Sequence, residues 1–253
     1  MHPTALQGFG EGAEAYARGR PGYPPAIAGW ARRTLGLASG SHVVDLGAGT
    51  GKLTQRLIET GAAVTAVEPV EAMRTAFRAA HPDVPALSGT AEAIPLGDRS
   101  CDAVLCGQAF HWFANARALA EIRRVLKPGG RLGLVWNRRD ERVPWVRALS
   151  DLMQPYEGET PRVAGGAWRT VFPADGFGPL RETELAHHVT GPPEAVIVDR
   201  VLSVSFIASL PVTERESVRQ SLVRLMAATP ELAGQDEITF PYLTEAYHCV
   251  RME

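Results

Sequence analysis

Cysteine is scarce: Cys101, Cys106 and Cys249 are the three in a chain of 253 residues. An odd number without metal-ligand spacing builds neither a disulfide framework nor a metal centre, and it predicts reduced thiols in a cytoplasmic protein. Neither sign of charge is in excess. Lys and Arg number 26 against 28 Asp and Glu, a net charge of −2, so no nucleic-acid partner is expected, because phosphate-binding surfaces need a basic surplus. Long apolar runs are missing; none approaches the ~20 residues that cross a bilayer, and no membrane partner is expected. The opening residues "MHPTALQGFGEG" lack the basic start and apolar stretch of an export signal. Repeats and low-complexity tracts are absent as well. What remains is ordinary for a globular protein, with 45% hydrophobic and 21% charged residues.

The stretch "VVDLGAGTGKLTQRL", Val43 to Leu57, departs from the ordinary. A short β-branched apolar run breaks into three glycines and continues as a helix that Gly61 stops; "AAVTAVEP" then reads as a second strand, completing a βαβ turn built to hold a ligand. A phosphate-binding P-loop does not fit. Leu46 stands where its first glycine belongs, and Leu53 replaces the Ser or Thr that would meet a metal. The dinucleotide fingerprint fails more narrowly: Gly47 and Gly49 match, but the third glycine, Gly51, comes one residue early. A ligand with a nucleoside and no phosphates fits better. Glu68, 17 residues after Gly51 at the end of the second strand, is placed to accept hydrogen bonds from ribose hydroxyls.

"VVDLGAGTGKLT", "VTAVEP", "GTAEAIPLGDRSCDAVLCGQAFHWF" and "ALAEIRRVLKPGGRLGLVWN" occur in the order and spacing of class I S-adenosylmethionine-dependent methyltransferases, which the chain resembles from about Phe9 to Asn137. "GQAFHWF" and the N-terminal "AEAYARGRPGYP" resemble the small-molecule branch that includes trans-aconitate-methyltransferase-like proteins. The resemblance implies S-adenosylmethionine as cofactor, with no metal. It places Asp45 at the methionine end, Gly47, Ala48, Gly49 and Gly51 against the ligand, Glu68 and Pro69 at the ribose, and Met73 on the adenine. Thr90 stands where many relatives carry an Asp that bonds the adenine amino group, so that contact falls to the Ala91 amide or to Glu92. Gln108 and Ala109 line the methyl-donor end, while Tyr16 and Arg20 fold over the cofactor. On the acceptor side stand Tyr23, Trp112, Trp136 and Arg138, with His111 as the catalytic candidate, either orienting a substrate oxygen or acting as base.

The implied fold is α/β: a doubly wound, seven-stranded, mostly parallel Rossmann-like sheet with an antiparallel last strand. "CDAVLCGQAF" reads as strand four and "RALAEIRRVLKPGG" as a helix stopped at Pro128. "RLGLVWN" reads as strand five, "PLRETELAHHVTG" as strand six and "DEITFPYLTEAYHCVRM" as the last. A helical insert at about residues 192–232, split by Pro211, is a candidate substrate lid. One domain is expected, with an N-terminal cap over 1–35, a cofactor core over 36–140 and the remaining strands and insert over 141–253. Methyl transfer from a sulfonium asks mainly for alignment and exclusion of water, so the lack of an evident acid–base pair is no objection. The expected activity is methylation of a small-molecule acceptor by in-line displacement. The alternatives are a non-methylating enzyme that cyclises or cleaves the sulfonium, and a non-catalytic S-adenosylmethionine-binding module.

Overall fold

The computed structural model describes residues 20–158 and 165–253. Seven strands form one sheet: β1 (His42–Leu46), β2 (Ala63–Val67), β3 (Ala86–Leu87), β4 (Cys101–Gly107), β5 (Leu126–Arg139), β6 (Arg181–Gly191) and β7 (Ile238–Val250). Their order is β3-β2-β1-β4-β5-β7-β6. The first five run parallel, and β7 is antiparallel to both of its neighbours. β1, β2 and β4 are near-continuous Val, Ala, Leu and Cys because helices cover both of their faces. At the edge, β6 carries Arg181, Glu182, Glu184 and His187, polar side chains that keep an open strand from pairing with another chain.

Helices α1 (Ala26–Leu35), α2 (Thr54–Ile58), α3 (Glu71–Ala80) and α4 (Ala116–Val125) wrap this sheet. Gly36 ends α1 in the left-handed conformation at φ 73°. Asn115 caps α4, its side chain accepting from the Ala118 amide. The helix that the sequence carries on to Pro128 stops at Val125, and β5 begins at Leu126 rather than Arg131. The reason lies at the far end of the chain: Arg251 donates to the Gly130 carbonyl and accepts from the Gly129 amide, drawing "LKPGG" into the sheet.

Beyond β5, α5 (Pro144–Met153) starts on a proline at its first turn. The insert between β6 and β7 opens with a π-helical turn, Glu194–Asp199, which runs into α6 (Arg200–Leu202); α7 (Ser205–Ala208) and α8 (Val212–Ala228) follow. Pro211 stands at the α8 N-cap, so the expected split is present. The insert does not hang free. Val196, Ile197, Val201, Ile207 and Leu222 share a core with Trp145, Leu149 and Met153 of α5 and with Phe240 of β7. Each such aliphatic side chain, once buried, contributes ~2 kcal/mol. The helix α5, which the sequence reading left outside the insert, is therefore half of the cap's foundation. No described helix is long and apolar enough to cross a membrane.

Candidate functional site

Strand order reverses between β1 and β4, and open α/β sheets hold ligands at that crevice, outside the carboxyl ends of the strands. Asp45 and Glu68 end β1 and β2 there. Asp45 is fully buried. Its Oδ2 accepts a 2.6 Å bond from the Thr54 hydroxyl, and no described residue donates to its Oδ1. Burial pushes its carboxyl up to about 7; the Thr54 bond opposes that shift and the neighbouring Glu68 charge adds to it. Glu68 is held by amides: Oε2 accepts from Gly49 at 3.0 Å and Oε1 from Val70 at 2.9 Å. Burial raises it too, against those two bonds. Two buried carboxylates beside an open groove, one with an unsatisfied oxygen, suit a ligand that brings positive charge and hydroxyl donors.

The three glycines of the loop do different work. All have positive φ, at 72°, 56° and 87° for Gly47, Gly49 and Gly51. A Cβ on Gly47 would lie 2.8 Å from the Ala109 Cβ, and one on Gly51 would lie 2.3 Å from the His81 ring, so the protein's own packing demands both glycines. A Cβ on Gly49 meets nothing within 4 Å. Of the three, Gly49 faces open space.

That space is a groove in two parts joined at Gly47. One part holds about 450 Å³ of empty volume, with Arg20, Tyr23, Gly49, Lys52, Leu53 and Gln108 among its walls. The other holds about 250 Å³, walled by Leu46, Pro69, Thr90, Ala91, Glu92 and Phe113. Gln108 lies just past β4 with φ 54°, unusual for a side-chain-bearing residue, and its amide group donates to the Asn137 carbonyl at 2.9 Å. Glu92 accepts from Asn115 at 3.2 Å, which ties this wall to the start of α4.

Most of the expected cofactor residues thus meet at one groove: Ala48 lines its larger part and Ala109 packs beneath Gly47. Tyr16 lies outside the described residues. Met73 does not reach the groove; it is 2% exposed in the core under α3, whose apolar face turns towards the sheet. Tyr23 is core with one side on the groove. Trp136 is fully buried and lines neither part. Its indole stacks near Trp168 at 4.4 Å, and its Nε1 donates to His111 Nδ1 at 3.2 Å. Arg138 is paired with Glu245, and Trp112 packs partly buried against the core that contains Phe110. Lys52, Leu53 and Phe113 were missed. Leu53 enters the sequence reading only as a mismatch to a phosphate loop, and Phe113 has the composition of core; a contact with one side open to ligand leaves no pattern in the sequence.

His111 is chemically specified by its partner. Because Nδ1 accepts from the indole, the ring proton sits on Nε2. Burial first, then the Arg20 charge, lowers its pKa to about 3. The ring is therefore neutral and a donor at physiological pH, and a weak base. Proton-detected NMR between pH 5 and pH 8 is expected to show no titration of His111; an inflection near 6.5 would refute the indole-locked tautomer.

The sequence profile of a methyltransferase domain family matches residues 44–134. The uncharacterised methyltransferase Rv3342 of Mycobacterium tuberculosis is 45% identical over 244 residues, covering 96% of this chain and 94% of its own. The solved structure of a type II methyltransferase from Anaeromyxobacter dehalogenans superposes with a TM-score of 0.70 at 26% identity, over 92% of this chain and 97% of that one. The phosphoethanolamine N-methyltransferase 2 of Haemonchus contortus, solved with phosphomonomethylethanolamine and S-adenosylhomocysteine, shares the fold at a TM-score of 0.57 and 16% identity, over 96% of this chain and 57% of that one.

Proposed function

Since the chain belongs to the class I S-adenosylmethionine-dependent methyltransferases, we propose that it transfers a methyl group to a small-molecule acceptor beneath the helical cap. The observation that carries this reading is the pair of buried carboxylates, Asp45 and Glu68, beside the one loop glycine whose Cβ position is open. Family membership implies S-adenosylmethionine, and the residues present fit it. The unsatisfied Asp45 oxygen can take its ammonium, Glu68 its ribose hydroxyls, and the Pro69–Phe113 side of the groove its adenine. When bound, that cofactor supplies an electrophilic methyl group on a cationic sulfur. Gln108, fixed to Asn137, shapes the wall at the end of β4. Arg20 closes the groove from the N-terminal side. His111, neutral and donating through Nε2, orients an acceptor oxygen and takes no proton from it. Alignment and exclusion of water do the rest. The absence of a basic surplus favours a small acceptor over a nucleic acid.

Isotope-labelled cofactor tests the reading against a panel of acceptors. S-adenosylhomocysteine appearing with a labelled product supports it. 5′-Methylthioadenosine would mark a sulfonium-cleaving enzyme instead, and binding without turnover across the panel a binding module.

A pH dependence follows from Asp45. Its folded pKa, about 7, lies above that of a free carboxyl. The stability it contributes to the free protein is therefore fully present below pH ~4 and lost as pH rises through 7. A cationic ligand favours the ionised form, so affinity runs the other way: S-adenosylmethionine should bind about tenfold more tightly at pH 8 than at pH 6. Asp45→Asn should bind weakly at both. Calorimetry at the two pH values decides, and a flat wild-type response would take Asp45 out of contact with the cofactor.

A further inference from the structure

Asn137 follows Leu134, Val135 and Trp136 in β5 and is buried like them. A buried amide side chain is costly unless its donor and its acceptor are both met. Here both are. Its Nδ2 donates to the Gly22 carbonyl at 2.8 Å, and its Oδ1 accepts from the Thr244 hydroxyl of β7 at 2.7 Å. A carbonyl can only accept, so Gly22 fixes which way the amide faces, and the fully buried Thr244 supplies the proton that the other end needs. The main chain of the same residue is engaged as well: its carbonyl accepts from the Gln108 side chain at 2.9 Å.

The two groups that Asn137 joins belong to two walls of one space. Arg20, Pro21 and Tyr23 line the larger part of the groove from the N-terminal segment, and Gln108 lines it from the end of β4. The walls touch: a Cβ on Gly107 would lie 2.7 Å from the Tyr23 hydroxyl. Two further donors hold the segment. Arg56 of α2 donates to the Tyr23 carbonyl at 2.8 Å, and His187 of β6 to the Gly22 carbonyl at 3.0 Å. Of the three donors, Asn137 is the one that also holds Gln108. Asn137 itself lines neither part of the groove.

We infer that Asn137 is a positioning residue for the cofactor: it ties residues 20–23 to the Gln108 wall and so sets the width of the groove between Tyr23 and Gln108. The inference rests on the cofactor reading above and adds the residue that holds the two walls in register. Walls fixed before the ligand arrives spare the cost of ordering them at binding, which is how a buried group outside the groove gains a hold on affinity.

The test uses the full chain labelled with 3-fluorotyrosine, the Tyr23 resonance being assigned by its loss in Tyr23→Phe. Asn137→Leu keeps the volume and removes the donor. In the ligand-free variant the Tyr23 fluorine signal should move towards the position of free fluorotyrosine, and S-adenosylhomocysteine, titrated by calorimetry, should bind at least tenfold more weakly than to wild type. Leu222→Ala loses stability in the separate core of the cap. It should keep the Tyr23 signal in place and bind S-adenosylhomocysteine within twofold of wild type. An unmoved Tyr23 signal or an unchanged affinity in Asn137→Leu would overturn the inference. So would an equal loss of affinity in Leu222→Ala, because binding would then track stability and not the segment. Should Asn137→Leu fail to fold, Asn137→Ser, whose shorter side chain stops short of Gly22, carries the same comparison. If S-adenosylhomocysteine does not bind the wild type at all, the cofactor reading fails on its own, and the fluorine spectra of the ligand-free proteins still decide whether Asn137 holds the segment.

Discussion

Gly49→Val should abolish binding of S-adenosylmethionine, a loss of more than a hundredfold, in a protein that still folds. The new side chain meets no protein atom within 4 Å at its Cβ and projects into the groove. Its backbone, at φ 56°, is strained for a branched residue at a cost of about 1–2 kcal/mol, which lowers the melting temperature modestly. The flanking glycines make the contrast. Gly51→Ala drives a Cβ to 2.3 Å from the His81 ring, and Gly47→Ala drives one to 2.8 Å from Ala109, so both should show a large loss of stability. Thermal melts and calorimetry on the three variants separate ligand space from packing space. Normal cofactor affinity in a folded Gly49→Val would move the site away from this loop.

Glu68→Ala should weaken S-adenosylmethionine by about 3 kcal/mol, roughly 150-fold, because a charged acceptor for the ribose is lost from a buried position. The Gly49 and Val70 amides lose their acceptor as well, so the loop slackens and the free protein is destabilised by ~1–3 kcal/mol. Glu68→Gln carries a second, sharper signature. The Glu68 charge helps to hold Asp45 up near 7, and removing it should shift the pH dependence of binding to lower pH. Unchanged affinity in Glu68→Ala, or an unmoved pH response in Glu68→Gln, would break the assigned coupling between the two carboxylates.

The parts of the molecule that could be read from the chain are those set by neighbours in sequence. Asp45, the glycines and Glu68 belong to one βαβ turn, where strand, loop and helix follow within 26 residues and their chemistry is local. The split of the insert at Pro211 was legible for the same reason. Contacts between distant segments were not. The start of β5 at Leu126 depends on Arg251, and the tautomer of His111 depends on Trp136. Met73 was assigned to the adenine from its place in the family pattern, yet the apolar face of α3 turns it into the core.

The cap rests on a core of its own, drawn from α5, the insert and the start of β7, and none of its buried members is shared with the cores on the two faces of the sheet. The family profile, residues 44–134, falls wholly on the cofactor side of that divide. Substitutions at Val201, Ile207 or Leu222 therefore loosen the insert and α5 while leaving the packing around Asp45 and the glycine loop intact.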